Sequence, residues 1–122
     1  MQNRLAFAYI FLSISLISSP GVAEEMRCGW LQNRTPGNWW LDDRDGTWII
    51  TAQGDEYEPQ GMGFISAISD YAYVQTYAGY GYACACLQLE ADPHKRRVQK
   101  ILSVDQRSLR ECREDKELPS PE

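Results

Sequence analysis

The stretch Tyr82–Leu87, YACACL, puts two cysteines two residues apart in a run of strand-forming composition. Strand side chains alternate between faces, so Ala83, Ala85, Leu87 and Leu89 line one side. Tyr80, Tyr82, Cys84, Cys86, Gln88 and Glu90 line the other. The Ala/Leu side is the natural core face. The β-carbons of Cys84 and Cys86 then stand about 7 Å apart, because two residues advance roughly 6.7 Å along a strand. A disulfide needs about 3.5–4.5 Å between β-carbons, so the two cannot bond to each other. The chain has four cysteines, and only Cys28 and Cys112 remain as partners. Two pairings survive: Cys28–Cys84 with Cys86–Cys112, or Cys28–Cys86 with Cys84–Cys112. The second is favoured. A hairpin turning at Pro93–His94 brings residue 103 near residue 84, and the chain then leaves past Cys84 toward Cys112. Both bonds would fasten the ends of the domain over one face of this strand. The C-x-C spacing lacks the C-x₂-C geometry of a zinc knuckle and the C-x-x-C of a redox couple. No metal and no cofactor are expected.

The N-terminus bears on the compartment. A basic residue, Arg4, precedes an apolar run from Leu5 to Ile17, then SSPG, then small residues at Gly21 and Ala23. This is the order of a secretory signal peptide, predicted to span residues 1–23 with cleavage near Ala23. The run is shorter than the roughly 20 residues a membrane-spanning helix requires. No lipobox precedes Cys28, so no stable membrane anchor is expected. An even number of cysteines in a small exported chain reads as a disulfide framework. The predicted location is periplasmic or secreted. The formal net charge of −5 argues against a nucleic-acid partner, which would call for a basic footprint.

Residues 24–118 read as a single domain and residues 119–122, PSPE, as a flexible tail. TPGN at 35–38 is a turn. NWWL, DDRDG and TWIITAQG read as strand, tight turn and strand, with Asp45–Gly46 as the hairpin signal. Trp48, Ile50 and Ala52 share one face of the second arm. GDEYEPQGMG (54–63) is a surface loop, and FISAISD fits either a short strand or a helical turn. YAYVQTY and YGYACACLQLEA are strands, and RRVQKILSV returns as an antiparallel partner. Ser108 and Glu111 have capping-box spacing, which predicts a short C-terminal helix. The expected class is α+β: a small domain dominated by an antiparallel sheet, with a short C-terminal helix and two disulfides.

Little in the chain suggests catalysis. His94 is the only histidine and sits in turn chemistry, DPHK. No G-x-S-x-G elbow is present. DRDG (43–46) lacks the third acid and closing Glu of a calcium loop. The pairs Asp42/Asp43 and Asp55/Glu56 are adjacent in sequence, whereas a glycosidase needs two carboxyls facing across a cleft. The aromatic load is more telling. Trp30, Trp40, Tyr80 and Tyr82 are the candidate binding surface, since exposed aromatic groups suit a protein or sugar partner. Core burial is the alternative use of such side chains.

RCGW (27–30), with NRTPGNWWLDDRDGTW, YGYACACL and the late CRED, resembles the domain-of-unknown-function 4087 family of small exported bacterial proteins. The likeness runs from Arg27 to about Leu118 and implies a Gram-negative, periplasmic setting. It implies no activity and no functional residue. The expectation is a non-catalytic, exported binding or interaction protein, of inhibitor or immunity type, with an unknown protein or glycan partner in the envelope. The alternatives are a wall- or glycan-acting enzyme using Asp/Glu pairs, or an envelope sugar-binding protein using exposed aromatics.

Overall fold

The computed structural model describes Ala6, residues 8–13 and residues 23–122. Most of the expected leader, residues 1–23, therefore lies outside the described residues. The described residues form six strands: β1 (Glu24–Thr35), β2 (Asn38–Asp43), β3 (Gly46–Thr51), β4 (Tyr73–Tyr77), β5 (Tyr80–Asp92) and β6 (Arg97–Arg107). Short 3-10 turns span Met62–Ala67 and Asp70–Ala72, and one helix, α1, spans Leu109–Glu114. The domain is mainly β rather than α+β, because α1 is only six residues long.

The sheet closes on itself. Neighbours run β1-β2-β3-β6-β5, and β5 pairs back onto β1 from Glu24↔Glu90 to Asn33↔Gly81. All barrel pairings are antiparallel except β3–β6, which meet in parallel at Ile49↔Arg97. There the Ile49 N–H donates to the Arg96 carbonyl at 2.8 Å. Gln60 extends this thin seam: the Ile101 N–H donates to its carbonyl at 2.8 Å. The result is a small, partly open five-stranded barrel, with the connectivity of an OB-type fold. That likeness concerns architecture and carries no function. β4 adds to β5 beyond the end of β6 as the edge strand.

The interior is built from alternate strand positions. Leu31, Leu41, Trp48, Ile50, Leu87, Leu89, Val98 and Ile101 meet there, and Ile65 of the first 3-10 turn packs with them. The Ala/Leu face predicted for β5 is this interior: Ala83, Ala85, Leu87 and Leu89 are fully buried. A fully buried Leu or Ile contributes about 1.5–3 kcal/mol. The barrel lining is thus the main source of stability.

Several local expectations shift. The β2–β3 hairpin turns on Arg44–Asp45, one residue earlier than Asp45–Gly46. The Asp45 N–H donates to the Asp43 carboxylate at 2.8 Å, which sets the turn, and Gly46 at φ 123° opens β3. The β5–β6 loop runs over residues 93–96, and β6 carries two register shifts, so Cys84 opposes Arg107 and Ser103 opposes Gln88. Of FISAISD, Phe64–Ala67 lie in the first 3-10 turn, Ile68 and Ser69 are extended, and Asp70 opens the second. Ser108 caps α1 without a side-chain bond. The expected capping box is absent because Arg107 holds both oxygens of Glu111 at 2.8 Å.

Candidate functional site

The RCGW quartet is a structural joint. Arg27 lies 3.8 Å over the Trp48 ring and donates to Asp43 (2.7 Å) and Asp45 (3.1 Å). It also holds Glu25 through two 3.0 Å bonds. Burial opposes its charge, but the bonds to Glu25, Asp43 and Asp45 outweigh that and keep its pKa above the usual value. Asp43 is buried and also accepts from the Trp48 indole at 3.1 Å. A buried carboxylate needs such partners. Cys28 forms a disulfide. Gly29 lies where β1 presses on β2, and a β-carbon there would overlap the Asp42 carbonyl oxygen. Trp30 turns outward into a second cluster. All four side-chain positions are thus accounted for by packing and cross-linking.

That second cluster sits outside the barrel, on the β1–β5 face. Trp30, Tyr82, Cys84 and Cys112 form it, packed by Val74, Leu109 and Leu118. Trp30 and Tyr82 meet edge to face, with ring centroids 5.2 Å apart and an 82° interplanar angle. Residues 119–122, expected as a flexible tail, lie across this face. The Trp30 indole donates to the Pro119 carbonyl (3.2 Å) and the Tyr82 hydroxyl donates to Glu122 (3.2 Å). Gln32 donates to the Pro121 carbonyl (3.3 Å), as does Arg34. Burial, then Glu122, pushes the Tyr82 phenol up from its usual pKa.

The four candidate binding aromatics are therefore not one surface. Trp30 and Tyr82 are 1% and 4% exposed, which removes them as a platform. The physical reason is the cap of α1 and the C-terminal segment, which makes an apolar site of what an open strand would expose. Trp40 is half-buried on the outer barrel wall, where its indole donates to Asp42 at 3.0 Å. Tyr80 is half-buried at the start of β5.

The disulfides are Cys28–Cys86 and Cys84–Cys112, with Cα separations of 4.0 and 5.8 Å. No free cysteine is present among the described residues. Cys28 and Cys86 are directly opposed across the β1–β5 ladder. Cys84–Cys112 ties α1 to the barrel.

The carboxylate pairs do not converge. Asp42 points outward and accepts from Trp40, Thr47 (2.6 Å) and Gln32 (3.4 Å). Asp43 points inward to Arg27 and Trp48. The Tyr57 N–H, then Arg97, hold the Asp55 carboxyl below its usual pKa. That is opposite in direction to the raised pKa of a general acid. Among the described residues no group of three or more His, Cys, Asp or Glu could hold a metal ion.

An open groove of about 510 Å³ lies elsewhere, between the 36–37 turn, the ends of β2 and β3, and the 52–62 loop. Trp39, Tyr57 and Met62 supply its apolar lining, with Glu56 and Glu58 beside them. Tyr57 is held in place: Arg97 stacks 5.0 Å from its ring, and its hydroxyl donates to the Val98 carbonyl at 3.4 Å. Sequence reasoning singled out neither Tyr57 nor Met62. The available signal was an aromatic residue inside an otherwise polar loop, DEYEPQ.

Residues 22–119 match the family model described as "Protein of unknown function (DUF4087)", and the chain belongs to that family. No curated protein and no solved structure matches it.

Proposed function

We propose, with membership of a family without an assigned activity as the premise, that this chain is an exported, non-catalytic binding protein of the cell envelope. Its partner surface in this reading is the groove of Trp39, Tyr57 and Met62. Two disulfides suit an oxidising compartment. With residues 1–23 as a leader removed near Ala23, the mature domain is periplasmic or secreted. The observation that carries the reading is the groove itself. Two aromatic side chains line an accessible concavity on a cross-linked barrel, and one is pinned by a cation stack and a hydroxyl bond. Its volume falls within the roughly 300–1,000 Å³ typical of ligand sites. Rigid aromatic anchors lose little entropy on binding, which suits a protein partner such as an enzyme to be occluded.

The non-enzymatic part rests on the carboxylates. Asp42 and Asp43 turn to opposite faces, and Asp55 is held by the Tyr57 N–H and Arg97. The test is site-specific photo-cross-linking in cells, with the probe at position 57 and, for comparison, at position 76. A discrete cross-linked partner from position 57 that is lost in a Trp39→Ala background is the expected result. Cross-linking at 76 instead of 57 overturns the groove. Hydrolysis of peptidoglycan fragments by the purified protein, abolished by one carboxylate change, overturns the non-catalytic reading.

A further inference from the structure

We infer that Cys28–Cys86 is a thiol–disulfide exchange site, open to attack by a dithiol while the chain stays folded. The inference does not depend on the groove. Three observations carry it. First, the two disulfides differ in access. Cys28 is exposed and Cys86 half-buried, whereas Cys84 and Cys112 are 3% and 5% exposed. The attacking group in exchange is a thiolate that must reach a disulfide sulfur, so exposed bonds react first. Of the four cysteines, Cys28 is the exposed residue.

Second, the bond joins residues already held together. Cys28 and Cys86 face each other within a ladder of ten residue pairs between β1 and β5. The salt bridges of Arg27 to Asp43 and Asp45 hold β1 to the β2–β3 turn from the next position. Opening the disulfide therefore removes a cross-link without freeing a segment. Cys84–Cys112 is the opposite case, because it fastens α1, whose six residues are too few to hold a helix alone.

Third, reduction cannot be followed by a bond between the two cysteines of β5. Cys84 and Cys86 point the same way from β5, and one small cavity of about 150 Å³ is lined by all four cysteines. Two residues along a strand still separate their β-carbons by about 7 Å. A disulfide needs about 3.5–4.5 Å between β-carbons, so Cys84 and Cys86 cannot pair while β5 keeps its ladder.

The reaction balances as follows. A thiolate of the dithiol attacks the Cys28 sulfur, forming a mixed disulfide and expelling the Cys86 thiolate. The second thiolate of the dithiol attacks the dithiol's first sulfur in that mixed disulfide, closing its S–S bond and releasing the Cys28 thiolate. The dithiol leaves as a disulfide. Two electrons pass to Cys28 and Cys86, and two protons from solvent complete the thiols. In reverse, the protein pair is reoxidised by a disulfide of the same class.

The test uses the purified protein without denaturant. It is exposed to rising dithiothreitol, quenched with an alkylating label, and read by peptide mass spectrometry. Circular dichroism and tryptophan emission are followed in parallel. Cys28 and Cys86 are expected to label at least about ten-fold faster than Cys84 and Cys112, with both spectra unchanged. Equal rates at all four cysteines, faster labelling of Cys84 and Cys112, or spectral change in step with labelling of Cys28 overturns the inference. A C84S/C112S variant supplies a second reading. Its Cys28–Cys86 bond is expected to be reduced at the wild-type rate, and a large acceleration would show that access required opening of the cap.

Discussion

The two sides of β5 are built on different principles. Its inner side, Ala85 to Ala91, faces a closed barrel of aliphatic residues and one tryptophan, drawn from five strands. Its outer side carries Tyr82 and Cys84 against a small cluster made by Trp30, α1 and the C-terminal segment. The inside is held by many long-range strand contacts. The cap on the outside is held by one disulfide, one aromatic pair and a few hydrogen bonds to residues 119–122. A barrel lining unfolds only with the whole domain, whereas a cap fastened at a few points can open by itself. The comparison also relocates recognition. The tyrosine and tryptophan that a bare strand would display are taken up by the cap, and Trp39 and Tyr57 line the loop groove instead.

Substitutions separate the two sides. The largest effect is expected inside: Leu87→Ala removes a fully buried side chain and should cost about 2–5 kcal/mol, read as a lower denaturant midpoint for the whole domain. Replacing Cys84 and Cys112 together by serine should cost about 2–4 kcal/mol. Its distinguishing sign is a red-shifted Trp30 emission before the barrel melts. Equal melting of cap and barrel in that variant would erase the contrast. Ending the chain at Leu118 removes the acceptors for Trp30 and Tyr82 and should cost about 1 kcal/mol, with most of the loss in the cap.

The smallest effect concerns the Arg107–Glu111 bridge beside α1. Hydrogen bonding from Arg107 lowers the Glu111 pKa below its ordinary value of 4.5. A group depressed in the folded state stabilises above its unfolded pKa, and the contribution fades as pH falls through the folded value. Glu111→Gln should therefore leave α1 slightly looser at neutral pH and abolish that part of the acid dependence. Both bridge partners are largely exposed, so the change in melting should be near the limit of detection.

Much of this was legible from the chain, for identifiable reasons. The period-two pattern of Ala83 to Leu89 gave the core face, because that strand is apolar on alternate residues only. The cysteine spacing excluded a bond between neighbours on geometric grounds. Trp48 and Ile50 lie on the buried side of β3, as their alternation implied. β1 was not legible as a strand. Gly29, Trp30, Leu31 and Gln32 are all buried, since that stretch is covered on both faces, so it shows no alternation. Barrel closure was equally hidden, because it depends on one parallel contact between β3 and β6 far apart in sequence. The burial of Trp30 and Tyr82 followed from where the last residues lie, and PSPE carries no local signal of docking. The groove depends on the placement of the 52–62 loop, which composition marks only as a loop.

Native-state hydrogen exchange with mass spectrometry tests the barrel-and-cap account most directly. Peptides from the inner strands, residues 87–91 and 98–104, should exchange only through global unfolding. Residues 109–114 should exchange faster, and faster still when Cys84–Cys112 is absent, with the barrel peptides unchanged in rank. Exchange of α1 and the barrel strands at one common rate, with and without that bond, would contradict the account.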